Sequence, residues 1–271
     1  KMFKTNYALI LNISPDHLER HGSMNSYVKA KFKLVTRQSK KDFVFMNVKN
    51  KYLKKLIRNS KVFSKIINVN SKSNTIFKKK IINQYFLSKS NLENLSFVLA
   101  ACKKLKLKNR IIIKTINQFK GLKYRQEIIF KNKYITFIND SKSTSFASSV
   151  NTLRSLKKVF WLVGGMSKLG DKFNLKRNEC KNIKAYIFGK NKNFFINNFK
   201  NKLSYKSFKN LEIALKQTLA DIKSNQYFNS TVLFSPSAAS FDSFKNFEER
   251  GDYFNFLLKK YKVKQLFNAT K

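Results

Sequence analysis

Two histidines and two carboxylates lie close together near the start of the chain, within Asn12–Gly22. A neutral imidazole beside carboxylates could bind a divalent metal ion or orient a phosphate group. A helix-capping turn, with His17 and His21 packed locally, accounts for the same residues, so the pattern leaves both interpretations open. Lys31 follows on the next predicted helix and, by its residue type alone, is one more solvated lysine.

Three further segments place polar side chains directly after an apolar run. In Phe137–Thr144, Asp140 could bind ribose hydroxyls, and Lys142 beside the amides of a helix start could hold an anion. A helix cap with an exposed lysine is an equally good structural interpretation. The sequence therefore marks this segment as a candidate nucleotide site without excluding a purely structural role.

The other two segments are rich in glycine or in serine. Gly164–Gly170 contains two adjacent glycines, which let a backbone approach a ligand, and Lys168, but it lacks the Walker A spacing. A simple turn explains it equally well. Ser235–Gly251 offers hydroxyls for a carboxylate or phosphate. Its phenylalanines at intervals of three, Phe241, Phe244 and Phe247, favour a core face over a substrate pocket.

Short apolar strands alternate with helices and must position these segments. This alternation predicts an α/β fold with parallel sheets covered on both faces, in which ligands bind at the carboxyl ends of strands. Gly121 breaks the pattern, so we predict two domains, 1–120 and 121–271, as the length of 271 residues also suggests. Strands are expected at 7–13, 43–46, 127–130, 134–138, 159–163, 185–188 and 231–234, short strands or a hairpin within 62–86, and helices at 24–37, 52–58, 91–105, 111–119, 144–156, 193–199, 211–222 and 254–261.

Composition excludes some classes of protein. Hydrophobic residues make up 42% of the chain, which argues against a disordered polyelectrolyte despite a net charge of +43. No apolar run is long enough to cross a bilayer, so no membrane insertion is expected. Cys102 and Cys180 have no metal or disulfide spacing, which favours a reducing cytoplasm. The lysines are spread along the whole chain, which indicates compositional drift more than a nucleic-acid site, although a basic nucleic-acid-binding protein stays an alternative.

Taken in order, the four segments resemble the Mur ligases. Asn12 to Lys31 is similar to the family's central-domain metal segment, and Asn139–Thr144 and Ser235–Gly251 to its C-terminal signatures. The last segment is the most specific, and it resembles the branch of the family that adds D-glutamate to UDP-N-acetylmuramoyl-L-alanine. A sister ligase of the same superfamily, including folylpolyglutamate synthetase, is the nearest alternative.

The resemblance implies a partial central ATP-binding domain followed by a Rossmann-like C-terminal domain that binds the amino acid. It further implies a monomeric ligase that uses ATP and Mg²⁺, forms an acyl phosphate, and joins it to the amine of D-glutamate. The implied roles are magnesium binding by His17 and by Lys31 as a carbamate, nucleotide binding by Asn91, Arg125 and Asp140, catalysis by Lys142 with His17 and Lys31, and D-glutamate binding by Thr144, Lys168, Ser240 and Phe247.

Two departures from the family pattern concern the nucleotide side. The chain has Lys123-Tyr124-Arg125 where the family usually has Pro-His-Arg, and Ser90-Asn91 where His-Asn is frequent. The family's UDP-binding domain, phosphate loop and catalytic glutamate would precede Lys1, which is not a methionine. We therefore expect this chain to be the C-terminal portion of the enzyme and to be inactive alone.

Overall fold

The computed structural model describes residues 3–13, 18–70, 77, 79–87, 89–168, 170–224 and 229–268. The chain divides into two compact units, Lys1–Lys120 and Gly121–Lys271. Within the described residues, no helix combines the length and the apolar character needed to span a bilayer.

The first unit is built on a three-stranded parallel sheet. Its central strand β2 pairs with β1 on one side and β3 on the other, with Phe43 opposite both Tyr7 and Lys65. Within 62–86, β3 confirms the short strand that was expected, but not a hairpin with β2, because a helical crossover separates the two strands and returns the chain in the same direction. The strands are β1 (Tyr7–Ile10), β2 (Phe43–Met46) and β3 (Lys65–Asn68).

Helices cover both faces of this sheet. Ala8 and Val44 pack with α2 and α3 on one face, and Phe45 packs with Phe97 of α4 on the other. Ser23 caps α2 by accepting a 3.2 Å hydrogen bond from the amide of Ser26. The helices are α1 (Leu18–His21), α2 (Met24–Thr36), α3 (Lys51–Asn59), α4 (Lys89–Lys104) and α5 (Asn109–Gln118), with a 3-10 turn at Gln84–Leu87.

The second unit contains a six-stranded sheet in the order β4-β5-β9-β6-β7-β8. All neighbouring pairs from β5 to β8 are parallel, but β4 and β5 are antiparallel. A tight turn explains this exception, since Asn132 Oδ1 accepts the amides of Tyr134 and Ile135. The strands are β4 (Glu127–Lys131), β5 (Ile135–Asn139), β6 (Val159–Gly164), β7 (Ile183–Phe188), β8 (Ser204–Ser207) and β9 (Ser230–Phe234).

Alternate residues of these strands face two separate cores. Phe137 and Leu162 pack with α8, α9 and α10, whereas Trp161 and Ile187 pack with α6 and α7. The sheet is therefore covered on both faces, as predicted. The helices are α6 (Phe146–Ser155), α7 (Lys192–Phe199), α8 (Leu211–Ser224), α9 (Phe247–Lys260) and α10 (Val263–Asn268), with a 3-10 turn at Arg177–Cys180.

The segment before α9 differs most from the sequence-based expectation. The helix begins at Phe247 rather than at residue 254, because Asn246 caps it by accepting the amide of Glu249 at 2.8 Å. Phe241 precedes the helix and is 69% exposed, so the expected core face of Phe241, Phe244 and Phe247 is wrong. Strand β8 and helix α10 were not predicted.

Candidate functional site

The candidate site of the second unit lies at the carboxyl edge of its sheet. Because β5, β9, β6 and β7 are parallel, the loops that follow them leave the sheet at the same edge. Asp140 follows β5, Ser235 follows β9 and Gly165 follows β6. The three candidate segments of this unit therefore meet at one place in the fold.

Asp140 is a buried carboxyl in this edge. Its Oδ1 accepts the amide of Gln126 at 3.1 Å, and its Oδ2 accepts the hydroxyl of Ser235 at 2.8 Å. Burial raises the pKa of Asp140 to about 7, although both hydrogen bonds and the charge of Arg125 act in the opposite direction. Asp140 can therefore be either an acceptor or a proton donor near neutral pH.

A buried network of serine hydroxyls extends from Asp140. Ser235 contacts Ser149 at 2.7 Å, and Ser149 contacts Ser143 at 2.6 Å and Ser237 at 2.5 Å. The network links the end of β9 to the first turn of α6, where the backbone amides begin the helix. Sequence reasoning missed it, although the density of serines in 141–149 was a visible signal.

Lys142 joins the two motifs that flank the site. Its Nζ lies 3.5 Å from the centroid of the Phe247 ring, which in turn stands edge-on to Tyr124 at 6.2 Å. Burial and the nearby charge of Arg125 lower the pKa of Lys142. The Arg125 side chain itself is exposed. Lys142, Arg125 and the first turn of α6 lie at the carboxyl end of the sheet. Two positive charges and free helix amides there would suit a polyphosphate such as ATP.

A second set of buried bonds fixes the loop after β5 to helix α9. Arg250 is fully buried and donates to Ser141 Oγ at 3.2 Å and to the Ser141 carbonyl at 2.8 Å. Asn139 donates to the carbonyl of Gly251 at 2.9 Å. Burial lowers the pKa of Arg250 to about 10, with Asp242 opposing the shift. Both residues lie in segments that the sequence singles out, but neither was assigned a role. Through them the loop of Asp140 is hydrogen-bonded to the helix of Phe247.

The remaining residues predicted for D-glutamate binding lie in the adjoining loops. Ser240 is buried, and its carbonyl accepts the amides of Ser243 and Phe244 in a turn. Lys168 is half-buried in the loop after β6, and Thr144 is half-buried before α6. Reciprocal 2.9 Å bonds between the backbones of Met166 and Ala239 connect the loops of Lys168 and Ser240.

The predicted magnesium site belongs to the first unit, and the structure describes only part of it. His17 lies outside the described residues. Lys31 is exposed on α2, with its Nζ 4.8 Å from the centroid of the Tyr27 ring, against which His21 also packs. Among the residues that are described, no group of three or more His, Cys, Asp or Glu could hold a metal ion. As an unmodified cation, Lys31 does not suit a magnesium ligand, so its role stays a prediction.

Asn91, predicted on the nucleotide side, lies in the first turn of α4. It is buried and donates to the carbonyl of Tyr85 at 2.8 Å. The side chain of the preceding Ser90, which departs from the family pattern, is outside the described part of the structure. Asn91 thus holds the entry to α4 in place, and its nucleotide role stays a prediction.

Comparison with known proteins agrees with this architecture. Residues 1–112 match the Mur ligase middle domain. Proteins called UDP-N-acetylmuramoylalanine--D-glutamate ligase are similar over most of the chain. That of Rickettsia prowazekii is 32% identical over 96% of this chain and 62% of its own length, and that of Prochlorococcus marinus is 35% identical over 92% and 57%.

Solved structures show the same fold. MurF from Acinetobacter baumannii aligns with a TM-score of 0.70 at 17% identity, over 94% of this chain and 60% of its own. MurF from Thermotoga maritima, solved in complex with ADP, aligns with a TM-score of 0.66 at 15% identity, over 95% and 63%. Residues 1–112 thus match the middle domain of the Mur ligases, and nearly the whole chain is similar to ligases of that family. The chain spans about 60% of the length of the relatives that it matches.

Proposed function

We propose that this chain forms the ATP-binding and amino-acid-binding part of a cytoplasmic, monomeric ligase. The reaction adds D-glutamate to UDP-N-acetylmuramoyl-L-alanine during synthesis of the peptidoglycan precursor. The observation that carries the proposal is the contact between Lys142 and Phe247. The contact joins the loop of Lys142, proposed for the nucleotide, to helix α9, proposed for the amino acid, at the carboxyl ends of the parallel strands. Most of the chain is also similar to proteins that are named as D-glutamate-adding ligases.

The residues of the edge divide into two sets in this proposal. ATP, when bound, supplies the phosphoryl group that activates the carboxylate of the sugar peptide as an acyl phosphate. Asp140 accepts a ribose hydroxyl, and Arg125 and Lys142 hold the phosphate charges as they develop. The amine of D-glutamate then displaces phosphate. Its carboxylates are held by the residues of the adjoining loops, namely Thr144, Lys168, Ser240 and Phe247.

The proposed metal site requires a chemical change at Lys31. Carbon dioxide would convert its amine to a carbamate, which replaces a positive charge by an oxygen ligand suited to Mg²⁺. The exposure of Lys31 on α2 makes the amine accessible to this reaction. With His17, the carbamate would then hold magnesium on the phosphate side of the reaction, whereas Asn91 contributes to the nucleotide site.

The test is an assay of phosphate release by the full-length protein with ATP, Mg²⁺ and UDP-N-acetylmuramoyl-L-alanine. We expect release only when D-glutamate is present. Release with L-alanine, diaminopimelate or D-alanyl-D-alanine instead would assign the chain to a sister ligase. No phosphate release with any acceptor would refute the proposal. The alternative of a nucleic-acid-binding protein would then be tested by measuring RNA binding as a function of salt concentration.

Two lysine variants assign the roles within that assay. Lys168→Ala should raise the KM for D-glutamate by roughly 10- to 100-fold, because one charge-assisted bond to a carboxylate is lost. Lys172→Ala, an exposed neighbour, is the matched control. A KM for D-glutamate that is unchanged in Lys168→Ala would refute the assignment of Lys168.

Lys31→Ala should abolish phosphate release, and a short carboxylic acid should restore part of it. Lys29→Ala, on the same helix, should have little effect on phosphate release.

A further inference from the structure

Tyr124 connects the turn before β4 to helix α9. Its ring lies directly against Gly251, so closely that a Cβ at that position would overlap it. Its hydroxyl donates a 2.7 Å hydrogen bond to Asp252 Oδ1. That bond, together with burial, raises the pKa of Tyr124 to about 12, so the phenol remains a donor at neutral pH. The side chain is therefore anchored to two consecutive residues of one helix.

The turn that contains Tyr124 has an unfavourable backbone. Tyr124 has a φ of 60° and Gln126 a φ of 49°, so Arg125 stands between two residues in the left-handed region. Side chains other than glycine adopt this region only when surrounding contacts require it. The carboxylate of Glu127 accepts the Tyr124 amide at 2.9 Å, and Asp140 accepts the Gln126 amide at 3.1 Å.

The same turn contacts the loop of Lys142. The amide of Lys142 donates to the carbonyl of Tyr124 at 3.0 Å. A movement of Tyr124 would therefore shift both Arg125, on one side of the turn, and the backbone of Lys142, on the other. The charge of Arg125 also acts to lower the pKa of both Asp140 and Lys142.

We propose that Tyr124 is a positioning residue. Anchored to α9 through its ring and hydroxyl, it holds the left-handed turn that presents Arg125 and fixes the loop of Lys142 relative to Phe247. The role rests on the proposed function, since it acts through residues assigned to the nucleotide. It also gives Gly251 a reason to be glycine, because no other residue leaves room for the ring.

The test is Tyr124→Phe in the full-length protein, which keeps the ring on Gly251 and removes only the hydrogen bond to Asp252. We expect the KM for ATP to rise about tenfold, the loss typical of one hydrogen bond to a charged group, with kcat changed less than about threefold. Asp252→Asn keeps an acceptor and should cause a smaller rise. Tyr261→Phe is the matched control, since its hydroxyl donates to Glu212 at 2.9 Å at the far end of α9.

A second measurement does not depend on activity. Hydrogen exchange at the amides of Gln126 and Lys142 should become faster in Tyr124→Phe and stay unchanged in Tyr261→Phe. Unchanged exchange and unchanged KM in Tyr124→Phe, or equal changes in both variants, would overturn the positioning role. If the wild-type protein shows no ligase activity, the proposed function fails, but the exchange comparison still decides whether Tyr124 holds the turn.

Discussion

The buried carboxyl of Asp140 should make stability depend on pH in an unusual direction. Its pKa is raised from 3.8 to about 7, so between these values the folded protein keeps a proton that the unfolded chain has lost. The free energy of unfolding should therefore decrease as pH rises from about 4 to about 7 and level off above it. At about 1.4 kcal/mol per pKa unit, the total decrease is on the order of 4–5 kcal/mol.

Urea denaturation of the wild type and of Asp140→Asn between pH 4 and 8 measures this contribution. The asparagine variant should lack the decrease. Glu179→Gln is the control, because the pKa of Glu179 is lowered by its bond to Arg154. Its linked stability is lost as pH falls from about 4.5, at the acid end of this interval, and so changes with pH in the opposite direction. An equal pH dependence in Asp140→Asn would contradict the assignment of a raised pKa to Asp140.

Sequence reasoning found the residues of the edge that stand in recognisable segments. Asp140 and Lys142 follow an apolar run, and Phe247 lies in a motif, so each was visible without coordinates. Tyr124 and Arg250 also stand in such segments, but their roles were not visible, because these roles come from contacts with residues more than 100 positions away. A buried arginine cannot be distinguished by type alone in a chain with 57 lysines and arginines.

Replacing Asn139 should weaken the connection between strand β5 and helix α9. Its amide donates to the Gly251 carbonyl and to Asn255 Oδ1, both at 2.9 Å, and its Oδ1 accepts the amide of Ser141 at 3.1 Å. Asn139→Ala leaves the buried carbonyl of Gly251 and the buried amide of Ser141 without the hydrogen bonds that Asn139 makes to them. We expect the free energy of unfolding to fall by about 2–4 kcal/mol.

Chemical denaturation measures the loss, with Asn47→Ala as a comparison. Asn47 accepts the amide of Lys49 in an exposed turn at 3.0 Å, where water can replace the bond. Its removal should cost less than about 1 kcal/mol. Similar losses in the two variants would mean that the bonds of Asn139 contribute no more than an ordinary surface turn.

The positions of helices and strands could be predicted from the sequence more accurately for buried elements than for exposed ones. Strands β6 and β7 are apolar runs that the core requires, so their positions followed from the sequence. Strand β8 is a short polar edge strand with only one neighbour, and nothing in Ser204–Ser207 distinguishes it from a loop. The true start of α9 had a readable signal, because Asn246 is followed three residues later by Glu249.

At the scale of the whole molecule, a net charge of +43 must oppose folding through self-repulsion. Few carboxylates offset it locally. Among the described residues, Asp221 makes two ion pairs, with Lys184 at 2.7 Å and with Lys206 at 3.0 Å. Repulsion over longer distances depends on salt, since the Debye length falls from about 30 Å at 0.01 M to about 8 Å at 0.15 M.

We therefore expect sodium chloride to stabilise the protein. Between 10 and 150 mM, the melting temperature should rise by several degrees, because screening relieves the repulsion among dispersed lysines more than it weakens the few close pairs. Scanning calorimetry over this range measures the effect, and Asp221→Asn provides the comparison. With its ion pairs removed, the variant should melt at a lower temperature at every salt concentration, and its melting temperature should rise at least as much with added salt.

A melting temperature that falls with salt in the wild type would mean that local ion pairs outweigh the net charge. The lysine excess would then be an organised feature of the fold rather than a general surface property.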